Sequence, residues 1–248
     1  MVDCKPCATP MTPATKLSKE GGVLFDDPTM YRSTVGALQY LTITRPDIAY
    51  SVNKLSQFLA APTTLHWTAC KRLLRYLKGT ASLRLSFKPS ATSQIIGYSD
   101  ADWAGSVDDR RSTGGHCIYL GSNLITWSAK KQDVVSRSSA ESEYRSLANA
   151  TTDIVWLHAL CSELGLTLQS PSKLWCDNIS ALALAGNPVF HTRTKHIEVD
   201  IHYIRDKIKD GTIEVGYVPS NDQIADLLTK PLADTRFCAL RDKLNLLP

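Results

Sequence analysis

Apolar positions recur at helical spacing from Tyr31 to Leu77 and alternate with polar ones beyond Ala81. Residues 1–30 show neither period. With Pro6, Pro10, Pro13, Pro28 and the Gly21-Gly22 pair they read as an extended linker. From Tyr31, the spacing of Val35, Leu38 and Leu41 predicts a helix. Arg45-Pro46-Asp47 ends it and starts a second, running to about Leu59, because proline is tolerated in a first helical turn. A third helix, residues 64–77, turns Leu65, Leu73 and Leu77 inward and places Lys71, Arg75 and Lys78 on another face, with Gly79 just past its end. Period two then predicts strands at 82–87, 94–99, 114–120 and 124–129, the last two joined by a short Gly121-Ser122-Asn123 hairpin loop, with three consecutive strands antiparallel. Ser138-Ser139-Ala140-Glu141 has the form of a capping box and opens a long helix whose apolar stripe continues to a stop at Gly165. A strand at 174–176, a short helix from Ser180, a helix over 197–210, a strand at 212–218 and a helix from Asp222 complete an α/β pattern without repeats or heptads.

Length and composition set the scale of that pattern. At 248 residues, 43% hydrophobic and 21% charged, the chain is large enough for a substantial core in one or two domains, and disorder as a whole is excluded. The formal charge of +4 conceals a division: residues 1–90 carry 12 basic and 5 acidic side chains, residues 91–248 carry 16 and 19. One end is suited to phosphates and the other to chemistry that needs carboxylates. No apolar run approaches the ~18–20 residues that span a bilayer, and the start lacks a signal-peptide core, so no membrane contact and no secretion are expected. Seven scattered cysteines fit reduced thiols in a cytoplasmic or nuclear setting better than a disulfide framework.

Four of the acidic residues stand where a solvated surface does not require them. Asp100 and Asp177 follow the apolar strands Ile95-Ile96-Gly97-Tyr98 and Leu174-Trp175-Cys176, and strand ends are where sites assemble in α/β sheets. Glu143 lies beside the apolar stripe of the long helix at Tyr144 and Leu147, and Asp226 precedes Leu227-Leu228 in the last helix. Carboxylates brought together repel unless a cation neutralises them, and hard divalent ions such as Mg²⁺ take oxygen ligands. Two such ions about 3.5–4 Å apart can hold the attacking water and the leaving oxygen of a phosphodiester. A basic helical unit beside an acidic cleft is the arrangement a nuclease needs.

The motifs Tyr98-Ser99-Asp100-Ala101-Asp102-Trp103-Ala104-Gly105, Arg110-Arg111-Ser112-Thr113-Gly114-Gly115, Trp127-Ser128-Ala129-Lys130-Lys131-Gln132 and Ser138-Ser139-Ala140-Glu141-Ser142-Glu143-Tyr144 closely resemble the ribonuclease H domain of copia-type LTR retrotransposon Pol polyproteins. Cys176-Asp177-Asn178, Thr194-Lys195-His196-Ile197 and Ala225-Asp226-Leu227-Leu228-Thr229-Lys230 continue the match. Upstream, Gly36-Ala37-Leu38-Gln39-Tyr40-Leu41, Thr44-Arg45-Pro46-Asp47-Ile48 and Arg72-Leu73-Leu74-Arg75-Tyr76-Leu77-Lys78-Gly79 resemble the segment joining reverse transcriptase to that domain, including thumb-like helices. The resemblance implies a linker at 1–30, a thumb/connection-like segment at 31–80 and, at 81–248, a ribonuclease H-like mixed five-stranded sheet flanked by helices. It makes Asp100, Glu143, Asp177 and Asp226 the ligands of two Mg²⁺ ions, with Mn²⁺ as a substitute, and implies hydrolysis of the RNA strand of an RNA/DNA hybrid. Asp102 competes with Asp100, and Glu141, already engaged by the capping box, competes with Glu143. The implied partners are the hybrid and the polymerase portion of the same polyprotein, in the cytoplasm within a virus-like particle or in the nucleus.

Two departures accompany the resemblance. No His lies between His202 and the C-terminus, where many ribonucleases H carry one before the last aspartate, and the Tyr-x-Asp-Asp pattern of a polymerase palm is missing, so no polymerase site is expected. Lys71, Arg72, Arg75 and Lys78, with Arg110 and Arg111, are candidate contacts to nucleic-acid phosphates; a plain solvated face is the alternative. Cys4 and Cys7 with His191 and His196 make a weak zinc candidate, since one C-x-x-C lacks a standard partner. Trp103, Trp127 and Trp156 are assigned to packing rather than base stacking. Rival readings are a catalytically silent remnant that binds nucleic acid or is purely structural, and a transposase or integrase, which needs only three carboxylates.

Overall fold

A computed structural model describes residues 3–186 and 197–248. The Thr194–Ile197 motif is thus described only at Ile197, and the two histidines of the zinc candidate lie outside the described residues. Helices α1 (Pro28–Leu41), α2 (Ala49–Ser56) and α3 (Thr64–Gly79) come first, a 3₁₀ turn at Pro46–Ile48 leading into α2. Asp27 caps α1 by accepting from the Met30 amide, and Thr63 and His66 close a reciprocal box at the start of α3. Strands β1 (Arg84–Leu85), β2 (Gln94–Asp102), β3 (Thr113–Leu120) and β4 (Asn123–Lys131) follow, then the 25-residue α4 (Ser139–Glu163). The chain continues through β5 (Gln169–Cys176), α5 (Ile179–Gly186), α6 (Glu198–Lys209), β6 (Ile213–Tyr217), α7 (Asp226–Thr229), α8 (Asp234–Arg241) and β7 (Leu246–Leu247).

The main sheet has the order β4-β3-β2-β5-β6, with β2, β3 and β4 antiparallel and β5 and β6 parallel to β2. This is the mixed five-stranded α/β arrangement implied above. On one face, α4, α5 and α6 bury Ile118, Leu147, Ile154, Leu174 and Ile204. On the other, α1–α3 join α7 and α8 in a second core with Tyr31, Leu73, Cys117, Leu124, Leu228 and Phe237. The helical unit therefore packs directly on the sheet. The Trp127 indole of β4 donates to the Thr42 carbonyl at 3.0 Å, tying the edge strand to the end of α1. No helix among the described residues is long and apolar enough to cross a membrane.

Three local expectations change. The strand at 82–87 shrinks to two residues and pairs with β7 at the far end of the chain rather than joining the main sheet. The single helix from Asp222 becomes a 3₁₀ turn, α7 and α8. Pro231 explains the break: it forces the preceding Lys230 into an extended conformation (φ −146°, ψ 154°). Residues 3–27 form no helix, and Pro28 begins α1; Met11 and Leu17 are buried and the Cys7 amide donates to the Arg75 carbonyl. This segment lies along α3.

Gly115 controls how closely α7 approaches the sheet. A methyl group there would stand 2.7 Å from Leu228 Cβ and 2.8 Å from Thr229 Cγ2. Gly115→Ala is expected to destabilise by about 1–3 kcal/mol through overpacking and to move α7 outward. Thermal unfolding checks the first effect, and a melting temperature equal to that of the parent chain would contradict the tight approach.

Candidate metal centre

Parallel pairing sets the first two carboxylates. Tyr98 of β2 is opposite Trp175 of β5, so two residues further on Asp100 and Asp177 come side by side toward the same end of the sheet. β2 extends to Asp102, which places Asp100 inside the strand opposite Gly115 rather than at its end. Because Gly115 has no side chain, α7 can approach and bring Asp226 alongside. One oxygen from each of Asp100, Asp177 and Asp226 falls within a 4.8 Å cluster, and Glu143, from α4, forms a second such cluster with Cys176 and Asp177. The two clusters share Asp177, which links the four proposed ligands from β2, α4, α7 and the turn after β5.

Both competitors are placed elsewhere. Glu141 accepts from the Arg137 amide and pairs with Arg145 at 3.1 Å; Ser138 caps α4 as expected, while Glu141 reaches back one residue beyond the cap. Asp102 lies outside both clusters, and burial raises its carboxyl above the usual range.

The cluster is strongly desolvated. Asp100, Glu143 and Asp226 are buried, whereas Asp177 is half-exposed and accepts from the Ser220 hydroxyl at 2.8 Å. Glu143 Oε2 is buried without a hydrogen-bond partner. Burial, with the charges of Asp100 and Asp177, pushes its carboxyl up to about 10. The Asp226 carboxyl is also raised, first by burial and then by Asp100. Such a donor set, all oxygen, like-charged and with an orphaned buried acceptor, fits hard divalent cations.

Four further residues complete the centre. Thr229 donates to Asp100; Lys230 Nζ stands 2.7 Å from Asp226 and 3.4 Å from Asp100; Arg236 pairs with Asp226 and donates to the Ser220 carbonyl at 2.7 Å. Burial opposes the Lys230 ammonium, but Asp100 and Asp226 outweigh it and raise its basicity. The pattern held one clue to Lys230, its i+4 spacing from Asp226. Arg236 and Ser220 left none, because they depend on the break at Pro231 and on the loop after β6. Lys230→Gln should tighten Mn²⁺ binding about tenfold, roughly 1.4 kcal/mol, because the ion then displaces no ammonium. Titration calorimetry reads this, and an unchanged affinity would show that the ammonium does not oppose the ion.

The candidate phosphate contacts are used differently from one another. Arg72 Nη2 donates to Thr9 Oγ1 at 2.8 Å, Arg75 Nε to the Lys5 carbonyl at 2.6 Å and Lys78 Nζ to the Cys4 carbonyl at 3.1 Å, so this face of α3 holds the N-terminal segment. Lys71 is exposed. Arg110, at φ +55°, is exposed in the loop between β2 and β3, and Arg111 pairs with Asp109 at 3.7 Å. Trp103 and Trp156 are about half exposed, and the Trp103 indole donates to the Ser136 carbonyl.

No family model matches the chain. It is 49% identical over 245 residues to the retrovirus-related Pol polyprotein from transposon RE1 of Arabidopsis thaliana, covering 99% of this chain and 17% of that protein. It is 38% identical over 246 residues to the Pol polyprotein from transposon TNT 1-94 of Nicotiana tabacum, covering 96% and 18%. The chain thus spans less than a fifth of the length of these relatives. Among solved structures, LC11-RNase H1 in complex with an RNA/DNA hybrid is similar at 14% identity and a TM-score of 0.42, over 55% of this chain and 94% of that one. With near-complete coverage at this identity, the chain belongs to the family of retrovirus-related Pol polyproteins of copia-type transposons.

Proposed function

We propose that this chain hydrolyses the RNA strand of RNA/DNA hybrids, as the ribonuclease H part of a retrotransposon reverse transcriptase. The observation that carries the reading is the convergence of Asp100, Glu143, Asp177 and Asp226 into two clusters that share Asp177, with a buried, unpartnered Glu143 oxygen. Two Mg²⁺ ions bound there would supply Lewis-acid activation of a water and stabilisation of the leaving 3′-oxygen, giving a 5′-phosphate and a 3′-hydroxyl. The chain's own part is to hold the four carboxylates at fixed spacing. Thr229 orients Asp100, Ser220 orients Asp177, and Arg236 fixes Asp226. Preference for RNA would come from contacts to 2′-hydroxyls in the wide minor groove, and affinity from phosphate contacts. Residues 31–80 fit the role of the thumb/connection-like segment, because α1–α3 are packed on the sheet that carries the site.

A second reading, a hybrid-binding domain without cleavage, draws on Lys230 and Arg236, which already neutralise part of the carboxylate charge. An end-labelled RNA/DNA hybrid decides between them. Cleavage of the RNA strand in Mg²⁺, absent in chelator and absent on single-stranded RNA, is the expected result; binding without cleavage supports the second reading, and cutting of duplex DNA would favour a transposase-like activity.

A further inference from the structure

The N-terminal segment and the outer face of α3 enclose an open cavity of 680 Å³ that shares no residue with the carboxylate centre. Its walls carry Lys16, Lys71, Arg72 and Arg75 and no carboxylate. None of these four cations is in an ion pair among the described residues, although Asp and Glu together number 24 in the chain. The cavity is built by the chain itself. Arg72 and Arg75 each give one donor to the segment, at Thr9 and at the Lys5 carbonyl, which pins it across α3. Arg72 Nε, by contrast, is buried without a partner. An orphaned guanidinium N–H is costly unless a ligand completes it, and a phosphate oxygen is the acceptor that suits its geometry.

The rest of the lining combines the hydroxyls of Thr12, Thr15 and Thr68 with apolar side chains. Among the apolar residues Leu17 and Ala69 are buried, and Leu65 is 56% exposed. A cavity lined by both cations and apolar side chains accommodates a phosphate joined to a flat apolar body, which is the chemistry of a nucleotide. Such a pair of features tolerates any base, because every base has an apolar face.

We infer that this cavity binds a nucleotide unit of single-stranded nucleic acid, with its phosphate on Arg72, Arg75, Lys71 and Lys16 and its base or ribose against Leu17 and Leu65. The inference goes beyond the hydrolysis reading and does not depend on it.

The test uses the full chain in chelator, so that no metal bridges protein and phosphate. Fluorescence anisotropy follows a labelled single-stranded oligonucleotide of roughly ten nucleotides. Lys16→Glu with Lys71→Glu, two exposed side chains, is expected to weaken binding at least tenfold and to make the dependence of log affinity on log salt shallower by about 1.4. Lys88→Glu with Lys209→Glu, the same charge change elsewhere on the surface, should weaken it less than twofold. Unlabelled UMP is expected to compete more strongly than inorganic phosphate. Equal losses from the two double variants would overturn the inference, as would equal competition by UMP and phosphate, which would remove the apolar half of the site. Unchanged thermal unfolding of both double variants excludes misfolding as the cause.

Discussion

Asp100→Asn and Asp177→Asn are each expected to lower Mg²⁺-dependent cleavage of an RNA/DNA hybrid by roughly a thousandfold, about 4 kcal/mol in the barrier. An amide offers one neutral oxygen where the carboxylate offered charge, and the ions' contribution to charge stabilisation is of that order. The same substitutions should not unfold the chain, because three carboxylates lie in one 4.8 Å cluster and removing one charge relieves repulsion. A melting temperature in chelator at or above that of the parent, together with loss of the upward shift that Mg²⁺ or Mn²⁺ gives the parent, separates loss of metal from loss of fold. Asp102→Asn and Glu141→Gln provide the contrast. Asp102 lies outside the clusters and Glu141 is engaged by Arg137 and Arg145, so each should cost less than about tenfold. If Asp102→Asn proved as damaging as Asp100→Asn, the assignment of ligands along β2 would be wrong.

How much of this was legible in the sequence depends on how local each determinant is. Strands β2 to β4 and helix α4 carry their own periodicity and caps, and the step from apolar strand to aspartate marked both Asp100 and Asp177. Their adjacency needed the parallel register of β2 with β5, which no local pattern encodes. Alternation predicts a strand at 82–87 longer than the two-residue β1, because it says nothing about which partner is available, and the partner β7 lies far along the chain. Gly115 looked like part of a motif. Its physical role, the absence of a Cβ beneath Leu228 and Thr229, appears only once α7 is in place. The basic stripe on α3 was visible as a charge pattern, whereas the proline-rich segment that covers it was not, since Met11 and Leu17 are too widely spaced to signal burial.

Asp47→Ala is expected to be the most destabilising single change in the helical unit, at roughly 3–5 kcal/mol, because it leaves a buried guanidinium without its counter-charge. Asp47 is 1% exposed and Arg45 5%. Arg45 holds both Asp47 oxygens, at 2.9 and 2.7 Å, and Tyr76 Oη donates to the same carboxylate at 2.5 Å. Arg45 also donates to the carbonyl and hydroxyl of Thr80, so one ion pair joins the turn before α2 to the end of α3. For a chain of this size the melting temperature should fall by about 10 °C, given roughly 2–4 °C per kcal/mol. The double variant Arg45→Met with Asp47→Leu removes both charges and should recover part of the loss. Full recovery is not expected, because the Tyr76 hydroxyl loses its acceptor, at about 1–3 kcal/mol for a group left buried and unsatisfied, whereas the Thr80 carbonyl keeps the Leu83 amide. The effect should also reach the metal centre, since the Pro46–Ile48 turn packs against α7, which carries Asp226. Asp47→Ala is therefore expected to reduce the thermal shift produced by Mn²⁺. If that shift matched the parent's while stability fell, the helical unit would be shown to support the fold without holding the site.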